Sequence, residues 1–316
     1  YTLSPVHNTK AYIKLAKDME SMGVQSICIK DMAGIISPKE AYELVSALKE
    51  NVKLPIILHT HCTTGLGPMT LLKAAEAGVD VIDTAISSFS GGTSQPATET
   101  LNYILTQDGY KTGLDTDVLK EINDFFKPVK ADALKSGLLN PVVLSTDTDA
   151  LTYQVPGGML SNLVAQLTAQ KKMDKFEEVL EETPRVRKDL GYPPLVTPMS
   201  QMVGVQATSN VLAGERYKNV SKEIRAYVKG EYGKAPGKID PSLIKKVLGD
   251  EKPIEGRYAD TLGDGYEAAK AEIGSKAHSE EDVLSYIAFP TQAEAFFDKR
   301  DERKKNTFTY TIKKID

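Results

Sequence analysis

PIILHTHCTT, residues 55–64, sets two histidines one residue apart at the end of a short apolar run. Successive side chains of a strand point to opposite faces, so His59 and His61 share a face, about 6.6 Å apart along the chain. Two imidazoles so placed can reach one metal ion at roughly 2.0–2.1 Å each. They can equally stand at a strand rim as polar residues that hydrogen-bond and do nothing more. Spacing alone leaves both readings open, and the choice turns on what kind of strand this is.

Two further runs, VQSICIKD (24–31) and VDVIDTAIS (79–87), are rich in Ile and Val, as strands buried on both faces should be. Helical patterns lie between them. Ala41, Leu44, Val45 and Leu48 fall at i, i+3, i+4 and i+7 behind Pro38, which is placed as the first helical residue. NTKAYIKLAKDMESMG (8–23) and GPMTLLKAAEAG (67–78) read as two more helices, each closing near a glycine. YTLSP (1–5) reads as the end of an earlier strand, giving four in all. A strand about every 25–30 residues is the rhythm of a parallel (β/α) barrel, in which chemistry sits where strands end. The polar residues collect there: Lys30-Asp31, His59-Thr60-His61 and Asp83-Thr84. No G-x-G-x-x-G follows a strand, as an open dinucleotide-binding sheet would have. The expected fold is therefore α/β, with residues 1–112 as the second half of a (β/α)8 TIM barrel whose first half is outside this chain.

The remainder reads as mostly helical over 113–300. DTDVLKEINDFFKPVKADALKSG (115–137) begins with capping residues, and KMDKFEEVLEETPRVRKDLG (172–191) has the charge of a solvated amphipathic helix. EIRAYVKGEYG (223–233) and SEEDVLSYIAFPTQAEAFFDKR (279–300) are helical too, the latter broken at Pro290. Residues 301–316 read as a charged linker and the start of a strand. His7 reads as structural and His278 as a surface residue.

The chain of 316 residues has 41% hydrophobic and 26% charged residues and a formal charge of −4, values of a soluble globular protein. That charge gives no footprint for nucleic acid or an anionic membrane. No apolar stretch approaches the roughly 18–20 residues of a membrane span, and no signal peptide is visible. Cys28 and Cys62 form no framework, and Cys28 in its apolar run reads as a buried reduced thiol, which favours a cytoplasmic setting. Lys30, beside the histidine pair if their strands are neighbours, would oppose a cation while protonated. Carbamylated by carbon dioxide it becomes an anionic oxygen ligand, and burial near a cation lowers the amine pKa enough to allow this. The plain alternative is an ion pair with Asp31 or another carboxylate.

IKDMAG (29–34), HTHCTTG (59–65), DTAISSFSGGTSQPATE (83–99), PGGMLSNL (156–163) and PPLVTPMSQMVGVQA (193–207) occur in this order. Together they resemble the carboxyltransferase component of biotin-dependent enzymes acting on pyruvate and oxaloacetate: oxaloacetate decarboxylase alpha subunits, transcarboxylase pyruvate-binding subunits and pyruvate carboxylases. The resemblance implies a barrel followed by a helical carboxylase domain. It also implies a divalent metal, zinc first, with cobalt or manganese as alternatives, held by His59, His61 and a carbamylated Lys30. An aspartate ligand and a substrate-binding arginine belong to the family's first barrel half. Thr197 matches the family's proton carrier, although Thr197-Pro198 also reads as an ordinary N-cap with Pro at N1. Ser200 matches a biotin-pocket position. Thr93 and Gln95 of GGTSQP, and Gly157 and Gly158 of PGG, match loops that wall the substrate or biotin pocket. Met159 and Cys62 stand where many pyruvate carboxylases have Gln and Asp, which leans toward the decarboxylase, transcarboxylase or two-subunit branch.

The implied reaction moves a carboxyl group between carboxybiotin and pyruvate through a metal-stabilised enolate. No Met-Lys-Met biotinylation motif occurs, so biotin is expected on another domain or subunit, a carboxyl carrier, and a homodimer is implied. The rival readings are a non-catalytic scaffold for dimerisation and carrier docking, and a metal-dependent acyl-CoA lyase or synthase barrel.

Overall fold

A computed structural model describes residues 1–149, 151 and 157–305. Among them, three strands form one parallel sheet in the order β1 (Ile27–Asp31), β2 (Ile56–Thr60) and β3 (Val81–Ile82). Lys30 pairs with His59 across β1 and β2, and Leu58 with Ile82 across β2 and β3. Helices α1 (Thr9–Ser21), α2 (Pro38–Asn51) and α3 (Gly67–Glu76) connect these strands, and α4 (Thr98–Gln107) comes after β3. At the start of α2, Ser37 and Glu40 form a reciprocal capping box around Pro38. Ala41, Leu44, Val45 and Leu48 then pack with Ile27, Ile29, Ile56, Leu58, Leu71 and Leu101 into the core between sheet and helices.

That core covers only one face of the sheet. Burial alternates along β1 and β2, so the expectation of strands buried on both faces is not met. The same alternation corrects Cys28, which is exposed because it shares the open face with Lys30 rather than the covered face of Ile27, Ile29 and Asp31. YTLSP does not add a fourth strand either. It makes a bridge between Ser4 and His7, and the Tyr1 amino group bonds the Lys30 carbonyl at the edge of β1.

The next stretch is helical. α5 (Thr116–Lys135), capped by Asp115, is followed by α6 (Gly157–Ala169), α7 (Phe176–Asp189), α8 (Met199–Ala213), α9 (Lys222–Lys229) and α10 (Pro241–Leu248). Helix α7 is not the solvated helix expected. Val179, Leu180, Glu182, Thr183, Val186 and Arg187 are buried in it, and its apolar side joins Leu163, Leu167, Val203 and Ile224 in a second core. Buried Glu182 is matched by Asn210 Nδ2 at 2.8 Å and Arg216 Nε at 2.6 Å, so its charge is not stranded. Hydrogen bonds tie this helical region to the sheet and its loops, among them Arg187 to Thr2 Oγ1 (2.6 Å), Ser88 N to Asn123 Oδ1 (2.9 Å), Asp147 N to Thr63 O (2.7 Å) and Thr93 N to Val143 O (2.9 Å). No helix among the described residues is long and apolar enough to cross a membrane.

Contacts divide the chain after Glu255. The smaller unit holds α11 (Tyr266–Ile273), α12 (Glu280–Ala288) and α13 (Pro290–Lys305), with Ile273, Ala293 and Phe297 at its centre. Phe289 separates α12 from α13, which opens on Pro290 where the break was expected, and the charge run from Asp298 to Lys305 is helical. NTFTYTIKKID and residues 153–156 of YQVPGG lie outside the described residues.

Candidate metal centre

Register places Lys30, His59 and Asp83 in one row across the three strand ends, since Asp83 lies one step beyond the Leu58–Ile82 pair. On that open face His59 Nδ1 lies 2.8 Å from Asp83 Oδ2, and His61 Nδ1 lies 2.5 Å from the Thr93 carbonyl oxygen. Carboxylate and carbonyl oxygens only accept, so each ring keeps its proton on Nδ1. With both rings neutral, the two Nε2 atoms are lone pairs, and they face each other at 3.2 Å. Two such lone pairs repel unless a cation or a donor N–H lies between them.

The separation fits a metal. Two nitrogens bound to a tetrahedral zinc at roughly 2.0–2.1 Å stand about 3.3–3.4 Å apart, close to the 3.2 Å observed. Burial lowers the pKa of His61 more than its bond to Thr93 raises it, which favours the neutral, ligating ring. Asp83 is placed to do for His59 what an outer carboxylate does for metal-bound histidines generally: it fixes the tautomer and the orientation of the ring. Among the described residues no cluster of three His, Cys, Asp or Glu is found. Lys30 is the neighbouring group in register, and as a protonated amine it could not ligate.

Asp31 is not the partner of Lys30. It is fully buried on the other face, where it accepts from Ile35 N (3.1 Å), Ile36 N (2.9 Å) and Thr60 Oγ1 (2.9 Å). This folds the loop after β1 back on itself and brings Gly34 against His61. At Gly34 φ is +66°, and a Cβ would lie 2.4 Å from the His61 carbonyl oxygen, so only glycine fits. Gly92 meets the same constraint, with a Cβ 2.1 Å from Val143 O. The loop that follows β3 and contains Gly92 also carries Gln95, whose Nε2 lies 3.3 Å from His59 Nε2 and 3.4 Å from His61 Nε2.

Lys30, His59, His61, Thr93 and Gln95 thus collect at one end of the sheet, Thr93 through its backbone. Thr197 and Ser200 lie at the start of α8 and share no hydrogen bond with that group among the described residues. Thr197 is not the N-cap expected: the helix starts one residue later, Pro198 holds the cap position without a side-chain bond, and the Thr197–Pro198 peptide is cis. Thr197 is exposed and its hydroxyl has no partner among the described residues, while Ser200 is buried in the first turn. Gly157 and Gly158 begin α6, which packs on α8. His7 is half-buried, with its Nδ1 2.7 Å from Ser4 Oγ. Sequence reasoning did not assign the orienting roles of Asp83 and the Thr93 carbonyl. Asp83 was visible as a strand-end acid in register with His59, whereas a backbone oxygen leaves no sequence signal.

Residues 150–314 match the family described as the conserved carboxylase domain (PYC_OADA), and residues 6–126 match an HMGL-like domain. The chain is 55% identical to one of the subunits of pyruvate carboxylase from Methanocaldococcus jannaschii, over 94% of its own length and 52% of that protein. It is 44% identical to the methylmalonyl-CoA carboxyltransferase 5S subunit of Propionibacterium freudenreichii, over 96% and 60%. It therefore spans about half the length of the curated relatives it matches. The carboxyl transferase domain of Rhizobium etli pyruvate carboxylase superposes with a TM-score of 0.84 at 28% identity, over 94% of this chain and 51% of that one. A barrel-type β/α half followed by a helical domain is thus the fold class, as the sequence predicted. On the match to more than half of its length, the chain belongs to the conserved carboxylase domain family.

Proposed function

We propose that this chain carries the carboxyl-transfer site of a biotin-dependent enzyme that moves a carboxyl group between carboxybiotin and pyruvate, with oxaloacetate as the carboxylated partner. The observation that carries this reading is the meeting of His59 and His61 Nε2 at 3.2 Å within a fold shared with carboxyl transferase domains. A divalent cation held there, zinc first, would supply Lewis acidity to the ketone oxygen of pyruvate and stabilise the enolate left when a methyl proton departs.

His59 and His61 hold the cation through Nε2, with Asp83 and the Thr93 carbonyl fixing how the rings are aimed. Lys30, as its carbamate, adds an anionic oxygen from the neighbouring strand. Thr197 hands its hydroxyl proton to the biotin ureido nitrogen that has released carbon dioxide, and regains one from the pyruvate methyl group. Proton count balances, and the carbon so deprotonated takes up the carbon dioxide. The exposed, uncapped hydroxyl of Thr197 supports this role better than a cap bond would, because no cap bond must be broken first. Ser200, in the first turn of α8, lines the biotin side, and the Gly91–Pro96 loop with Gly157 and Gly158 forms the walls. Biotin arrives on a carrier domain or subunit, the chain works as a homodimer, and its setting is cytoplasmic. Residues 1–112 serve as the barrel part and 113–300 as the helical part.

The test is oxaloacetate decarboxylation stimulated by free biotin. Thr197→Ala is expected to abolish the biotin-dependent rate while metal content stays at the wild-type level. Wild-type turnover in Thr197→Ala overturns the assignment.

A further inference from the structure

His59 Nε2, His61 Nε2 and Gln95 Nε2 form a nearly equilateral triangle with sides of 3.2, 3.3 and 3.4 Å. Those are the edges of one face of a tetrahedron around zinc, roughly 3.3–3.4 Å. Two corners are lone-pair donors already. The third is a primary amide, whose oxygen and nitrogen exchange places by a half-turn of the terminal torsion. Without a cation, the N–H end faces the two bare imidazole nitrogens and quenches their repulsion. With a cation between them, the N–H end would be repelled and the oxygen drawn in.

The surroundings suit either orientation. Ser94 Oγ donates to Gln95 Oε1 at 3.4 Å, and a hydroxyl can accept as readily as donate, so it serves the flipped amide as well. The loop backbone is pinned on both sides of the side chain: Cys62 N bonds Ser94 O (2.7 Å), Gly91 N bonds Gln95 O (3.0 Å) and Ala85 N bonds Pro96 O (2.9 Å). Gln95 is therefore delivered to the histidines by a loop whose backbone is held in place.

We propose that Gln95 is a ligand of the divalent cation in the substrate-free site, binding through Oε1 after a half-turn of its amide. This rests on the metal reading of His59 and His61 above. The experiment is zinc affinity of the full chain by competition with a chromophoric chelator, with circular dichroism to check each fold. Wild type is expected to bind and His59→Ala to lose binding. Gln95→Ala should weaken affinity about tenfold or more, in the range seen when support of a metal site is removed. Gln95→Glu, which keeps an oxygen at the same reach, should bind at least as tightly as wild type. If Gln95→Ala binds as well as wild type while His59→Ala does not, the amide is a competitor only and the inference falls while the metal centre stands. Failure of Gln95→Glu to recover what Gln95→Ala loses overturns it too. If wild type and His59→Ala are alike in taking no zinc, the metal reading itself fails.

Discussion

Asp83 makes its case through one hydrogen bond, 2.8 Å to His59 Nδ1. Asp83→Asn keeps the shape but removes the charge that fixes the tautomer, so zinc affinity is expected to fall about 10- to 100-fold, read by chelator competition. An unchanged affinity would mean that the bond only steadies the apo ring. At this scale the placement of His59 and His61 was legible, because strand alternation puts them on one face, with Lys30 across the register. The error at Thr197 is instructive. Thr-Pro is a common helix opening, and nothing in the residues tells that this helix begins at Met199 instead. Cys28 was misread for a different reason: an apolar run does not say which of its two faces is covered.

Among the elements, α6, α7 and α8 hold the helical region together through Leu163, Leu167, Val186 and Val203. Leu167 is completely buried, so Leu167→Ala is expected to cost about 2–5 kcal/mol from lost burial and the cavity left behind. Urea denaturation reads this directly, and a change under about 1 kcal/mol would mean the site collapses onto the hole. Charge hid the burial of α7, not the helix itself, from sequence reading. Glu, Lys and Arg outnumber its apolar residues, yet Val179, Thr183, Val186 and Leu190 run at i, i+4, i+7 and i+11 and form the buried stripe. The strand–helix alternation over residues 1–112 was easier, since start signals such as Ser37, Pro38 and Glu40 mark where a helix begins.

For the molecule as a whole, His7 links stability to pH. Burial, reinforced by the positive charge of Arg187, lowers its pKa below 6.5. Between that lowered value and 6.5 the unfolded chain binds a proton that the folded chain refuses, so stability rises with pH across this window. His7→Asn should flatten the rise, measured as the difference between urea midpoints of the two proteins from about pH 5 to 7. A wild-type slope in the variant would assign the dependence to other groups.

The bond from Thr93 N to Val143 O, next to the Thr93 carbonyl that aims His61, reaches beyond folding. Both proposed imidazole ligands lie in the first 112 residues, yet the loop that aims His61 is tied to Val143 in the helical stretch. Recombination that joined the sheet of one relative to the helices of another would inherit the ligands from one parent and part of their aim from the other. The two stretches are therefore expected to be exchanged together, as a single heritable cassette.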